Sequence, residues 1–398
     1  VTLQDVLDAR QRIGDRLRRT PTWPADSLSN LCGRRIYLKG EHLQRTGSFK
    51  PRGALNLLSW LDPDVKEVVA ASAGNHAQGV ALSAGLTGRQ ATVFMPATAS
   101  LPKVQATRDY GAEVILAGDT VDDAIALAKD RAETTGAFFA SPFDHPMVIA
   151  GQGTVGLEIA EDRPDAATVL VPVGGGGLIS GVAAALHHRA PGVRVVGVQA
   201  QGAACLLPSM RSGEATPLPR VSTIADGIAI KSPSPLTLAH AQAFVDDVVT
   251  VDDDAIGRAL VLLLERAKAV VEPAGAVGLA ALLAGKIPGD DPVVVILSGG
   301  NVDPLLLVKL IDHGLTASGR FLRINVRVPD HPGALAELTK IIAGQDANIL
   351  DVEHHREGVR VGVDEVEVEL TLETHDREHG DRIVAALELR GVTVDPLA

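Results

Sequence analysis

Apolar and polar positions follow two rhythms along the chain, and the change between them falls near Leu315 to Gly319. Before it, short β-branched runs recur between stretches of helical period. "VVAAS" (68–72), "ATVFMP" (91–96), "EVILAG" (113–118) and "AFFAS" (137–141) read as strands. "VDDAIALAKDRAETT" (121–135) between them has helical spacing. The rhythm resumes with "TVLVPV" (168–173), "VRVVGVQ" (193–199) and "PVVVILSG" (292–299). Apolar strands alternating with helices predict an α/β fold with parallel sheets. The number of strands predicts two lobes, with ligand sites at the strand carboxyl ends.

After "DHGLTASGRF" (312–321) the order becomes strand "RFLRINVRV", helix "GALAELTKIIAGQ", strand "ILDVEHHRE", strand "DEVEVELTLET", helix "EHGDRIVAALELRG" and strand "VTVDPL". This βαββαβ order is that of a ferredoxin-like unit. "DEVEVELTL" alternates polar and apolar residues, as an antiparallel strand with one buried face should. The expected division is therefore residues 1–315 and 320–398. No internal repeat appears.

One helix start is unusual. In "RTGSFKPRGALNLLSWL" (45–61), Pro51 suits a first helical turn, and Ala54, Leu55, Leu57, Leu58 and Leu61 suit a buried face. Lys50 and Arg52 nevertheless stand at the positive end of the helix dipole, where acids are favoured.

Composition narrows the function classes. The chain has 398 residues, 46% of them hydrophobic, enough for a sizeable core. A formal charge of −12 argues against a nucleic-acid partner, while leaving room for anions held by backbone amides. Two cysteines, Cys32 and Cys205, make no disulfide framework and suit a reducing cytoplasm. The first residues are charged and amphipathic, without an apolar signal core. Ala166–Leu186 is uncharged and long enough for a membrane, but "PVGGGG" splits it into strand, turn and helix, so no membrane partner is expected.

Three junctions between strand and helix carry candidate chemistry. Gly174, Gly175, Gly176 and Gly177 follow a strand and precede "LISGVAAALHH"; such a turn can aim successive amides at an anion. The spacing is neither G-x-G-x-x-G nor a P-loop, so a single phosphate is favoured over a dinucleotide. The alternative is a tight turn. "SAGNHAQG" (72–79) could hold a carboxylate on its amides, with Asn75 adding a neutral hydrogen bond, or could simply be a capped helix. His76 suits packing better than catalysis. In "ILSGGN" (296–301), Ser298 ends an apolar strand where ligands collect, unless it only forms the turn. Glu272 in "VEPAGA" reads as a capping carboxylate.

Together, "GSFKPRGA", "SAGNHAQG", "GGGGL", "EPAGA" and "SGGN", in this order and spacing, resemble the pyridoxal-phosphate enzymes of the tryptophan-synthase-β type (fold type II), most closely the threonine dehydratases. The resemblance covers residues from about 5 to 315. The tail is similar to an ACT domain, with "VPDHPGALAEL" matching its first strand–helix loop.

The resemblance implies a two-lobed catalytic domain with a small lobe, roughly 41–144, inserted in the large one. It implies Lys50 as the lysine that carries pyridoxal 5'-phosphate as a Schiff base, next to Phe49. Gly174, Gly175, Gly176, Gly177 and Leu178 would hold the phosphate, Asn75 the ring oxygen, and Ser298 would face the ring nitrogen. Ser72, Gly74, Asn75 and His76 would bind the substrate carboxylate. The implied reaction converts L-threonine to 2-oxobutanoate and ammonia, with L-serine giving pyruvate. The ACT unit implies an amino-acid effector near Gly333, isoleucine or valine being candidates, and a homo-oligomer, dimer or tetramer.

Other readings are weaker. Serine racemases carry a serine where this chain has Ala73, and their divalent-ion carboxylates align with Gln199 and Cys205, so no metal is expected. A serine dehydratase, and an inactive regulator on the same scaffold, are the remaining alternatives. A cysteine synthase suits "GSFKPRGA" less well. A nicotinamide oxidoreductase lacks its fingerprint.

Overall fold

A short antiparallel pair, β1 (Thr22–Pro24) and β2 (Ile36–Lys39), begins the first sheet of this computed structural model, which describes residues 1–355 and 364–396. The chain then leaves that sheet and builds a second from β3 (Glu67–Ala71), β4 (Gln90–Met95), β5 (Glu113–Leu116) and β6 (Phe138–Phe139). These strands are all parallel, in the order β5-β4-β3-β6. It returns as β7 (Thr168–Pro172), β8 (Arg194–Ala200), β9 (Asp247–Val251) and β10 (Val293–Ile296). The larger sheet then runs β1-β2-β10-β7-β8-β9, parallel except for β1. Its inner strands β7 and β10 are buried along their whole length, which is why they read as unbroken apolar runs.

The helices follow their local signals. Thr120 and Asp123 form a capping box at the start of helix Val121–Thr135, and Gly136 ends it in the left-handed conformation. Residues 166–186 split as expected into β7, a glycine turn and helix Gly177–Arg189. Among the described residues, no helix is long and apolar enough to cross a membrane. Helix Pro146–Asp162 packs closely on helix Gly177–Arg189, where a Cβ on Gly181 would collide with the Ile149 carbonyl.

Contacts divide the chain into Val1–Leu307 and Val308–Ala398. The second unit pairs β11 (Phe321–Pro329), β12 (Asn348–His355), β13 (Glu365–Glu373) and β14 (Thr393–Pro396) in the antiparallel order β12-β13-β11-β14. Helices Ala334–Ala343 and Arg377–Glu388 cover one face. Alternation does the sorting: Val366, Val368, Leu370 and Leu372 of β13 turn inward onto Leu338, Ile342, Ile383 and Leu387. The ends of two expected strands, at 356–357 and 397, lie outside the described residues.

Candidate active site

The helix that begins unusually begins at the site. It runs Lys50–Trp60 with Pro51 in its first turn, and Pro51 to Leu58 are all buried. The segment before it is stitched to the end of β10. Ser48 bridges Gly299, and the Phe49 amide donates to the Ser298 carbonyl at 3.1 Å. This pairing brings Lys50 and Ser298 to one cleft.

That cleft is a cavity of about 660 Å³ at the carboxyl ends of strands from both parallel sheets. Its lining includes Phe49, Lys50, Ser72, Gly74, Asn75, His76, Gly174, Gly175, Gly176, Gly177, Leu178 and Ser298. Residues named from five separate sequence motifs, Glu272 among them, thus meet in one place.

Lys50 opens partly to the cleft, and its Nζ donates to the Pro142 carbonyl at 3.1 Å. Burial lowers its amine to about 8 against the opposing charge of Glu272. Desolvation by burial is the larger influence on that amine and the Glu272 charge the smaller. His76 is buried with Nε2 against the Ala140 carbonyl at 2.9 Å. Burial and the Lys50 charge pull it to about 3, so it stays neutral.

Gly174 to Gly177 form a fitted turn rather than a loose one. Cβ atoms on Gly175 and Gly177 would meet Phe143 at 2.5 and 2.8 Å, and Gly176 adopts a φ of +91°. Thr237 Oγ1 donates to the Gly175 carbonyl at 2.8 Å and fixes the turn from behind. Among the described residues, the amides of Gly175, Gly176, Gly177 and Leu178 meet no carbonyl partner. Four unpaired donors at a helix N-terminus suit a phosphate. With an amine of lowered pKa opposite, the donor set fits pyridoxal phosphate: an anion cradle at one end and a nucleophile for its aldehyde at the other.

Two residues differ from their sequence reading. Arg52, which in the sequence is only a cation at the wrong end of the helix dipole, is 2% exposed and bridges Glu41 and Glu158. Glu272, expected as a cap, makes no capping bond and instead accepts from Asn75 Nδ2 at 2.8 and 3.0 Å. Asn301, which reads as a turn former in "ILSGGN", donates to Asn75 Oδ1 at 2.8 Å. Phe143 and Thr237 escaped notice because they stand on elements remote in sequence from the glycine motif. No local pattern marks them.

Gln199 Nε2 meets Cys205 Sγ at 3.7 Å, its side chain also bonds the backbone of Ala203, Leu206 and Leu207, and the Cys205 thiol donates to the Gly174 carbonyl at 3.8 Å. Gly333 lies in the second unit, at the N-cap of helix Ala334–Ala343, beside a cavity of about 250 Å³ lined by Asp330, His331 and His354 among others.

Comparison with known proteins agrees. A family model described as "Pyridoxal-phosphate dependent enzyme" matches residues 13–299, and one described as "ACT domain" matches 322–388. The chain is 46% identical over 396 residues to the L-threonine ammonia-lyase of Thermotoga maritima, covering 99% of both chains. The processed form of threonine deaminase isoform 2 from Solanum lycopersicum superposes with a TM-score of 0.74 at 37% identity, over 78% of this chain and 86% of that one. Maize serine racemase gives a TM-score of 0.75 at 36% identity, over 79% and 98%. The chain therefore belongs to the family of pyridoxal-phosphate-dependent enzymes that includes these threonine ammonia-lyases, and carries an ACT domain at its C-terminal end.

Proposed function

We propose that this protein is a pyridoxal-phosphate-dependent threonine ammonia-lyase that converts L-threonine to 2-oxobutanoate and ammonia, and L-serine to pyruvate as a side reaction. The observation that carries this reading is Lys50, an amine drawn to about 8 by burial, in the same cavity as the unpaired amides of the glycine turn. The amides of Gly174–Gly177 and Leu178 would hold the cofactor phosphate, Asn75 would donate to the ring oxygen, and Ser298 would offer only a neutral hydroxyl toward the ring nitrogen. When bound, the cofactor supplies an aldehyde that captures the substrate amine and a conjugated ring that stabilises charge at the α-carbon.

Lys50, freed by the incoming amino acid, takes the α-proton onto Nζ. The substrate carboxylate lies on Ser72, Gly74, Asn75 and His76, whose imidazole, lowered to about 3, is too weak a base to compete for the proton. The β-hydroxyl would leave as water on a proton returned by Lys50 Nζ or given by the cofactor phosphate, and the released enamine would be hydrolysed to the oxo acid and ammonia. Ala73 lines the cavity and offers no second acid–base group, which favours elimination over racemisation.

The ACT domain takes a branched-chain amino acid, isoleucine or valine, at the Gly333 loop and tunes turnover, as suits isoleucine biosynthesis in the cytoplasm by a dimer or tetramer. Assaying 2-oxobutanoate from L-threonine and pyruvate from L-serine, with and without isoleucine, tests the reading. It fails if neither product forms.

A further inference from the structure

Glu272 is a buried carboxylate that the proposed reaction leaves without a task. It is 5% exposed, and among the described residues it forms no ion pair. Its position has been hollowed out from two sides. A Cβ on Gly299 would collide with Glu272 Oε1, and one on Gly227 would come to 3.3 Å from the same atom. The Glu272 amide donates to the Gly299 carbonyl at 3.0 Å, which ties it to the strand end carrying Ser298.

Both carboxylate oxygens accept from Asn75 Nδ2. The other end of that amide is fixed as well, since Asn301 Nδ2 donates to Asn75 Oδ1 at 2.8 Å and to the Thr46 carbonyl at 2.6 Å. Asn75 begins the first helix after β3, while Glu272 and Asn301 belong to the segments flanking β10. The amide is therefore held across the cleft, between the two parallel sheets.

We propose that Glu272 is a positioning residue whose protonation state governs how firmly Asn75 is held against the cofactor. This rests on the reading that pyridoxal phosphate binds here. As a carboxylate, Glu272 accepts a charge-assisted bond from Asn75; as an acid it is a weaker acceptor and its proton competes for the same space. Burial pushes its carboxyl up to about 7, opposed by the Asn75 hydrogen bond, aided by Asp226 from the 226–228 turn, and opposed again by Lys103 and Lys50. The switch therefore falls in the neutral range.

The test is a pH titration of the visible absorbance of the lysine-bound cofactor in the loaded full-length enzyme, run beside the pH profile of kcat. Wild type is expected to shift its band with a midpoint near 7, and kcat to fall on the acid side of the same midpoint. Glu272→Gln, which keeps an acceptor without an ionisation, loses both. Asn75→Ala, with Glu272 intact, loses the spectral titration too, and serves if Glu272→Gln does not load. A titration that persists in either variant, or is missing from loaded wild type, overturns the proposal alone. Wild type that never takes up the cofactor overturns the parent reading with it.

Discussion

Arg52 and Glu158 are joined by two hydrogen bonds, Nη1 to Oε1 at 2.6 Å and Nη2 to Oε2 at 2.9 Å. On its other side Arg52 Nε reaches Glu41 at 2.7 Å, and Lys39, fully buried, adds a bond to Glu158 at 2.6 Å. Burial disfavours every one of these charges. Arg52 nevertheless stays above, and Glu41 below, its ordinary pKa, because the partners outweigh the desolvation. The network anchors the first turn of the helix that begins at Lys50.

Removing Arg52 takes from Glu41 its ion-pair partner and leaves Glu158 with Lys39. Arg52→Ala is expected to destabilise the protein by about 3–5 kcal/mol, the cost of breaking a buried pair. Arg52→Lys keeps the charge but cannot fork between both partners and should fall between the two. Urea denaturation of the three proteins checks the order; equal midpoints would contradict it.

Gly175→Ala drives a methyl into the Phe143 ring, 2.5 Å away, and must displace the turn whose amides face the cavity. Pyridoxal-phosphate affinity of the apo-protein should drop by about tenfold or more, roughly 1.4 kcal/mol. Fluorescence titration reads the Kd, and circular dichroism verifies that the fold is kept.

Lys50 attacks the cofactor aldehyde only as the neutral amine. With a pKa lowered to about 8, that form appears as pH rises through 8 rather than through the ordinary lysine range. Mixing apo-protein with pyridoxal phosphate across pH should show the rate of covalent capture rising with a midpoint near 8. A midpoint at the unperturbed lysine value would contradict the desolvation.

The ACT domain forms its own compact core, apart from Val1–Leu307. Deleting residues 320–398 is expected to leave threonine turnover in place and to abolish the response to isoleucine or valine. Steady-state assays with each effector decide it; a truncated enzyme that keeps the full response puts the effector elsewhere.

Much of this was legible in the sequence where the signal is local. β13 announces itself because every second residue is buried, and helix Val121–Thr135 because its capping box and its terminal glycine lie within the same stretch. The glycine run and the "SAGN" turn mark their junctions for the same reason. β1, β2 and β9 escape a sequence reading; β1 and β9 stand at the sheet's edges, where burial is partial. Glu272 looks like a cap because it precedes a proline and a helix. Only the fold, by bringing Asn75 across from 197 positions away, gives its carboxylate another partner. Arg52 likewise finds Glu158 from 106 positions away, a pairing no local pattern encodes.

Lys50→Ala is the most direct test of the central claim. The variant, purified with pyridoxal phosphate and compared with wild type, should lack the visible absorbance of a lysine-bound cofactor. It should form 2-oxobutanoate from L-threonine at least about a hundredfold more slowly, as removal of a positioned acid–base group predicts. Turnover at the wild-type rate would contradict the account.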